Sequence, residues 1–178
     1  AVLGANFDPT VMKRERKIIV NVGNFHTLAF RLGDGIEGVF EHHTGEIDLP
    51  KLESLIRKLA DGSLKHEDVF NDMGHGALMY TDDMFEFGKD DFDIVVTGPR
   101  RSMFRNADDG RQTMDNGQSS IVNGRLRPYF AVPFGDMMIA GCFGLLAATA
   151  EILPGLGEAI QRSLRGEGGR GVAPWDAG

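Results

Sequence analysis

Residues 17–32, Lys17-Ile18-Ile19-Val20-Asn21-Val22-Gly23-Asn24-Phe25-His26-Thr27-Leu28-Ala29-Phe30-Arg31-Leu32, decide the fold. The first six are β-branched and largely apolar, as a buried central strand is. Gly23-Asn24 makes a turn. From His26 onward Leu28, Phe30 and Leu32 alternate with Thr27, Ala29 and Arg31, the period of a second strand. Asp34-Gly35 is a strong hairpin signal, and a third strand runs from Ile36 to His42. Three strands in direct succession predict an antiparallel meander.

Outward from the meander the pattern changes period. Leu49, Leu52, Leu55, Ile56 and Leu59 recur at helical spacing, so a helix is expected over 49–60. Asp48 is its N-cap, Pro50 sits in its first turn, and Gly62 ends it. A shorter helical segment over 65–72 leads into Gly74-His75-Gly76, and 77–91 has no clear period. Residues 93–98, Asp-Ile-Val-Val-Thr-Gly, form a buried strand ending in a glycine turn, with a short helix at 102–106. Residues 107–124 are a long polar loop, and loops of that length are commonly functional. Residues 128–132 are the last strand. Asp136 caps an apolar helix over 137–152 in which Gly141, Gly144 and Ala148 make a small-residue stripe suited to close approach. Pro154 ends it, a short helix follows near 156–163, and the Gly-rich tail 166–178 is expected to be flexible.

Three antiparallel strands, a helix, a strand, a helix, a strand and a helix give the ribonuclease-H-like order. The expected fold is thus α/β, with a mixed five-stranded sheet and helices on both faces. A single domain is expected over 1–165.

Composition narrows the function classes. A net charge of −7 opposes a broad nucleic-acid footprint, which needs clustered Lys and Arg. Arg100-Arg101 is a local basic spot that could hold one phosphate. Cys142 is the sole cysteine, so the chain offers no disulfide framework and no cysteine-rich metal site, which fits a reducing cytoplasm. Ala1–Asp8 does not read as a signal peptide. The apolar run 137–150 is shorter than the roughly 20 residues of a membrane span. The absence of an initiator methionine leads us to expect a fragment of a longer protein.

Several segments resemble known proteins. The strand–turn–strand Ile18–Thr27 resembles the phosphate-binding hairpin that opens the second half of the actin, sugar-kinase and heat-shock-chaperone superfamily. Val95-Val96-Thr97-Gly98-Pro99-Arg100 resembles its adenosine-binding turn. Gly135-Asp136 and the helix carrying Gly141 and Gly144 resemble the closing helix of the same half. More closely, Asn21–Thr27, Asp72–Ala77 and Pro133–Gly141 resemble an uncharacterised prokaryotic family that carries the name pyruvate formate-lyase-activating enzyme. The resemblance covers residues 17 to 152.

The resemblance implies an ATP site with magnesium. Gly23, Asn24, His26 and Thr27 would meet the phosphates, Gly98 and Arg100 the base or sugar, and Gly135 and Asp136 the cleft. It also implies a companion N-terminal half of the same protein carrying the first phosphate loop. Two departures bear on chemistry. The superfamily hairpin has an acidic residue where this chain has Asn21, and the adenosine-binding turn a second glycine where it has Pro99. A glycyl-radical activating enzyme holds a four-iron cluster on three closely spaced cysteines, and one cysteine supplies no such cluster.

Each signal also has a plainer reading. The hairpin could be an ordinary β-turn, and Gly98 with its arginines a turn carrying surface charge. His75, between two glycines, suits a catalytic position with Asp72 nearby, or is a loop histidine at a helix end. His42 and His43, adjacent on a strand, point to opposite faces and do not share a metal. Asp82, Asp83, Asp90, Asp91 and Asp93 lack ordered ligand spacing, so no metal ligands are assigned. The small-residue stripe could serve packing or self-association. The functional alternatives are an ATP-binding domain, a non-catalytic interaction module that keeps the fold, and an enzyme of another kind built on His75.

Overall fold

The computed structural model describes residues 1–105 and 125–165. The polar loop expected at 107–124 and the tail 166–178 lie outside the described residues. In chain order the helices are α1 (Val2–Ala5), α2 (Pro9–Met12), α3 (Leu49–Asp61), α4 (His66–Phe70), α5 (Ala140–Ile152) and α6 (Gly157–Leu164). The strands are β1 (Lys17–Val22), β2 (His26–Leu32), β3 (Ile36–His43), β4 (Gly74–Met79), β5 (Ile94–Thr97) and β6 (Pro128–Phe130). These elements fall into two compact units. One is residues 15–130, and the other joins residues 1–14 to the chain from 131 onward.

The larger unit is built on a mixed sheet of six strands in the order β4-β3-β2-β1-β5-β6. The meander is antiparallel, while β5 pairs parallel to β1 and β6 parallel to β5. The expected five strands are corrected to six. The addition is β4, which pairs antiparallel with β3; its two glycines and weak alternation conceal it. Ile18, Ile19, Val20, Val22, Ile94, Val95 and Val96 are all fully buried, so β1 and β5 are buried on both faces, as their unbroken apolar runs require.

Helix α3 lays Leu52, Leu55, Ile56 and Leu59 into the core with Val20, Ala29 and Phe40. Asp48 Oδ1 accepts from Lys51 N at 2.9 Å, and Gly62 closes the helix at φ 81°. On β2 the buried face is Thr27, Ala29 and Arg31, each with zero exposure, while Leu28, Phe30 and Leu32 are half-buried. The polar face of β2 goes in because its polar groups find partners. Thr27 Oγ1 meets Thr44 Oγ1 at 2.9 Å. Arg31 Nε donates to Glu37 Oε2 at 2.7 Å, and Arg16 holds the same carboxylate.

In the smaller unit, Asp8 Oδ1 caps α2 through Thr10 N at 2.8 Å, and Asp8 Oδ2 accepts from Val132 N at 2.9 Å. This buried carboxylate staples the N-terminal segment to the chain beyond residue 131. Helix α5 starts at Ala140 rather than 137, because residues 133–135 form a 3-10 turn and Asp136 Oδ1 accepts from Met138 N at 2.8 Å, short of the helix. A Cβ built on Gly144 would come within 2.8 Å of Gly4 N, so Gly144 serves close packing of α1 on α5, whereas Gly141 and Ala148, the other members of the expected stripe, are exposed. Among the described residues no helix is long and apolar enough to cross a membrane.

Candidate functional site

The carboxyl ends of β1 and β5 lie side by side, with Asn21 opposite Thr97. Each strand then runs into a glycine. Gly98 adopts φ 100°, and a Cβ there would come within 2.4 Å of Val22 O and 2.9 Å of Asn21 Oδ1. Only glycine fits that approach. Arg100 N donates to Val22 O at 3.0 Å, which closes the turn onto the end of β1, and the Arg100 side chain is exposed. The structure therefore brings together Asn21, Gly23, Gly98 and Arg100. Thr97 Oγ1 is buried there without a hydrogen-bond partner among the described residues.

In the β1–β2 turn, Gly23 N is taken by His26 O at 3.0 Å. The amides of Asn24 and Phe25 take no such backbone partner among the described residues. Both residues are exposed. Thr27 is sealed in the sheet with its hydroxyl on Thr44.

The same turn opens onto three histidines. Counting outward from the Asp34-Gly35 hairpin, His26 at the start of β2 stands directly opposite His43 at the end of β3. His75 comes from β4, where the register slips: Gly76 pairs with Glu41, Gly74 pairs with His42, and His75 is the extra residue. Strict alternation from the buried Ala77 would send His75 to the core side. The bulge, with Gly76 at φ 110°, re-aims it to the side of His43. Ring centroids are 5.1 Å apart for His26–His43, 5.1 Å for His26–His75 and 4.6 Å for His43–His75. One ring nitrogen from each lies within 4.8 Å of the others. Glu41 Oε1 is 3.5 Å from His26 Nδ1. Shallow depressions flank the trio. One, of about 300 Å³, is lined by Asn24, Phe25, His43, Gly45, Glu46 and Met73; Glu41, His66 and His75 help line the other.

Asp72 does not join His75. Its carboxylate pairs with Lys51 Nζ at 2.9 Å and faces Nε2 of the buried His42 at 3.5 Å. The Lys51 ammonium holds the Asp72 carboxyl below the usual carboxylate range. His42 and His43 do point to opposite sides, one buried and the other beside His26 and His75. Gly135 and Asp136 belong to the smaller unit, where Asp136 stabilises its own turn.

Residues 1–103 match the protein family described as "Putative pyruvate format-lyase activating enzyme (DUF1786)". The chain belongs to this family. No curated protein and no solved structure matches it. The part matched to the family includes Asn21, Gly23, the three histidines, Gly98 and Arg100, whereas Gly135 and Asp136 lie beyond it. The iron–sulfur chemistry suggested by the family's description does not fit these residues. Cys142, the chain's one cysteine, is exposed on α5, and thiolate ligation of a four-iron cluster needs more.

Proposed function

We propose that residues 15–130 form a ribonuclease-H-like nucleotide-binding module, the second half of an actin-like ATPase relative. The observation that carries this reading is the strand order: β1 lies between an antiparallel meander and two parallel strands, and β1 and β5 end side by side in glycine turns. In open α/β sheets ligands bind beyond the carboxyl ends of the strands, which is where Gly23, Asn24, Gly98 and Arg100 lie. The Asn24 and Phe25 amides, with His26, would meet phosphate oxygens. Thr27 would contribute at most through its backbone. Gly98 and Arg100 would meet base or sugar, and the unpartnered Thr97 hydroxyl is a polar group that a ligand could satisfy.

ATP with magnesium would supply a transferable phosphoryl group, and the protein's part in such chemistry is positioning and charge neutralisation. Asn21 stands where the superfamily carries an acid, and an amide supplies no negative charge to organise metal or water. That one residue favours a second reading, a module that binds nucleotide or a partner without hydrolysing.

A thermal-shift titration of the chain with Mg-ATP, Mg-ADP and an unrelated anion tests this. A ligand of the folded state stabilises by about 2.7 kcal/mol at one hundred times its Kd. A nucleotide-specific, saturable rise that Gly98→Val abolishes supports the reading. No rise at millimolar nucleotide overturns it.

A further inference from the structure

The three histidines converge from three adjacent strands, and this demands a physical account. His43 and His75 make no side-chain hydrogen bond within the described residues, and His26 has only Glu41. Ring contact alone would be served as well by phenylalanine or tyrosine, and this chain uses phenylalanine freely elsewhere, as in the Phe85–Phe87 and Phe134–Phe143 pairs. Here every ring carries two nitrogens, and one from each ring lies within 4.8 Å of one from each of the others.

We propose that His26, His43 and His75 form a binding site for a transition-metal dication, with zinc the best match, that leaves one coordination position open. Imidazole nitrogen suits zinc, copper, nickel and iron, and hard oxygen-seeking cations much less. Zinc–nitrogen bonds of about 2.0–2.1 Å put tetrahedral ligand nitrogens roughly 3.3 Å apart. Rotation of the exposed His26 and His75 rings would close the present separations, within 4.8 Å, toward that distance. Three protein ligands with a free fourth position are the pattern of sites that bind water or substrate, whereas structural zinc takes four.

The surroundings agree with such a site. Glu41 lies where it can accept from His26 Nδ1 and fix the ring with its other nitrogen toward the ion, the usual carboxylate–histidine arrangement behind a metal. His26 and His75 are exposed, so an ion and a fourth ligand have an open path. The strand scaffold holds the ligands without help from the loops: His26 and His43 are a fixed cross-strand pair, and the bulge at Gly76 delivers the third. The site shares only His26 with the phosphate contacts of the nucleotide reading, so zinc binding measured without nucleotide stands or falls separately from that reading.

The test is calorimetric titration of chelator-treated chain with zinc chloride alone, in the absence of nucleotide, with the cobalt(II) visible spectrum as a second readout. We expect one saturable site per chain and the intense visible bands of low-symmetry four-coordinate cobalt. His26→Ala, His43→Ala and His75→Ala should each weaken zinc at least tenfold, and Glu41→Gln up to about tenfold. His66→Gln, at an exposed histidine outside the trio, should leave affinity unchanged. Circular dichroism verifies folding, and the exposed His26 and His75 variants keep the test open should His43→Ala fail to fold. Absence of saturable zinc binding overturns the proposal. So does binding that survives both His26→Ala and His75→Ala, which would place the ion on the acidic surface.

Discussion

Arg31 Nη1 donates to the carbonyl of Ala60 at 2.9 Å, joining a central strand to the last turn of α3. The same nitrogen reaches Leu59 O at 3.2 Å, Nη2 donates to Asp83 O, and Nε holds Glu37. The last carbonyls of a helix have no partner within it. A guanidinium with zero exposure supplies one here, and the charge is balanced by Glu37.

Replacing this group should be costly. Arg31→Met leaves Glu37 and the helix-end carbonyls short of a buried donor, and breaking such a pair costs about 3–5 kcal/mol. Arg31→Lys should recover little, because one ammonium cannot span the carbonyls and the carboxylate as a planar fork does. Urea unfolding measures both. A loss under 1 kcal/mol in Arg31→Met would show that Phe85 N, which also donates to Ala60 O at 2.8 Å, and water suffice at the helix end.

Asp93 contributes to the acid limb of stability, as do Glu37, Asp68 and Asp72, whose carboxyls are also held low. Burial pushes its carboxyl up, but hydrogen bonds from the Arg127 side chain, Arg127 N and Gly88 N, with the Arg127 charge, outweigh burial and hold it below the usual range. A carboxylate depressed in the folded state stabilises fully above its unfolded pKa of about 3.9, and the contribution drains away as pH falls through the lower folded value. Asp93→Asn should therefore cost about 3 kcal/mol at pH 7, with the gap to the parent narrowing below pH ~4. A pH-independent gap would contradict this.

Gly98→Ala tests the turn after β5. The φ of 100° and the approach of a Cβ to Val22 O at 2.4 Å leave no relaxed solution. We expect a loss of about 2 kcal/mol or more and a shift in the amide resonances of Val22 and Arg100. A change under 0.5 kcal/mol would mean the turn rebuilds itself easily.

Gly76→Ala tests the bulge. A Cβ would meet the His66 ring at 2.2 Å, which a side chain can vacate, so the cost comes from φ, about 1–2 kcal/mol. The sharper readout is NMR of the imidazoles: His75 should move away from His26 and His43, and their signals should change together. Unchanged signals would show that the bulge does not aim His75.

Local chemistry made much of the larger unit legible. The apolar run of β1, the Asp34-Gly35 turn, and α3 between Asp48 and Gly62 all announce themselves within a few residues. Strand β4 did not, because Gly74 and Gly76 dilute its pattern and its pairing depends on β3. Arg31 reads as a surface residue until its four partners are seen, three of them backbone carbonyls distant in sequence. The histidine trio was half readable: centring the hairpin on Asp34-Gly35 already sets His26 against His43. His75 required the register slip, and a bulge leaves no mark in the sequence beyond its glycine. Proximity along the chain points Asp72 toward His75, yet the turn that follows α4 sends its carboxylate to Lys51.

Strand β4 is also one rim of the sheet, and an uncovered rim is a template on which a neighbouring molecule can add a strand. The slip at His75 breaks the even spacing of amides and carbonyls there, so the regular stretch offered outward is only Gly76–Met79. A ribbon from another copy would lose its hydrogen bonds after a few residues. The same kink that gathers three imidazoles thereby shortens the even edge that β4 presents.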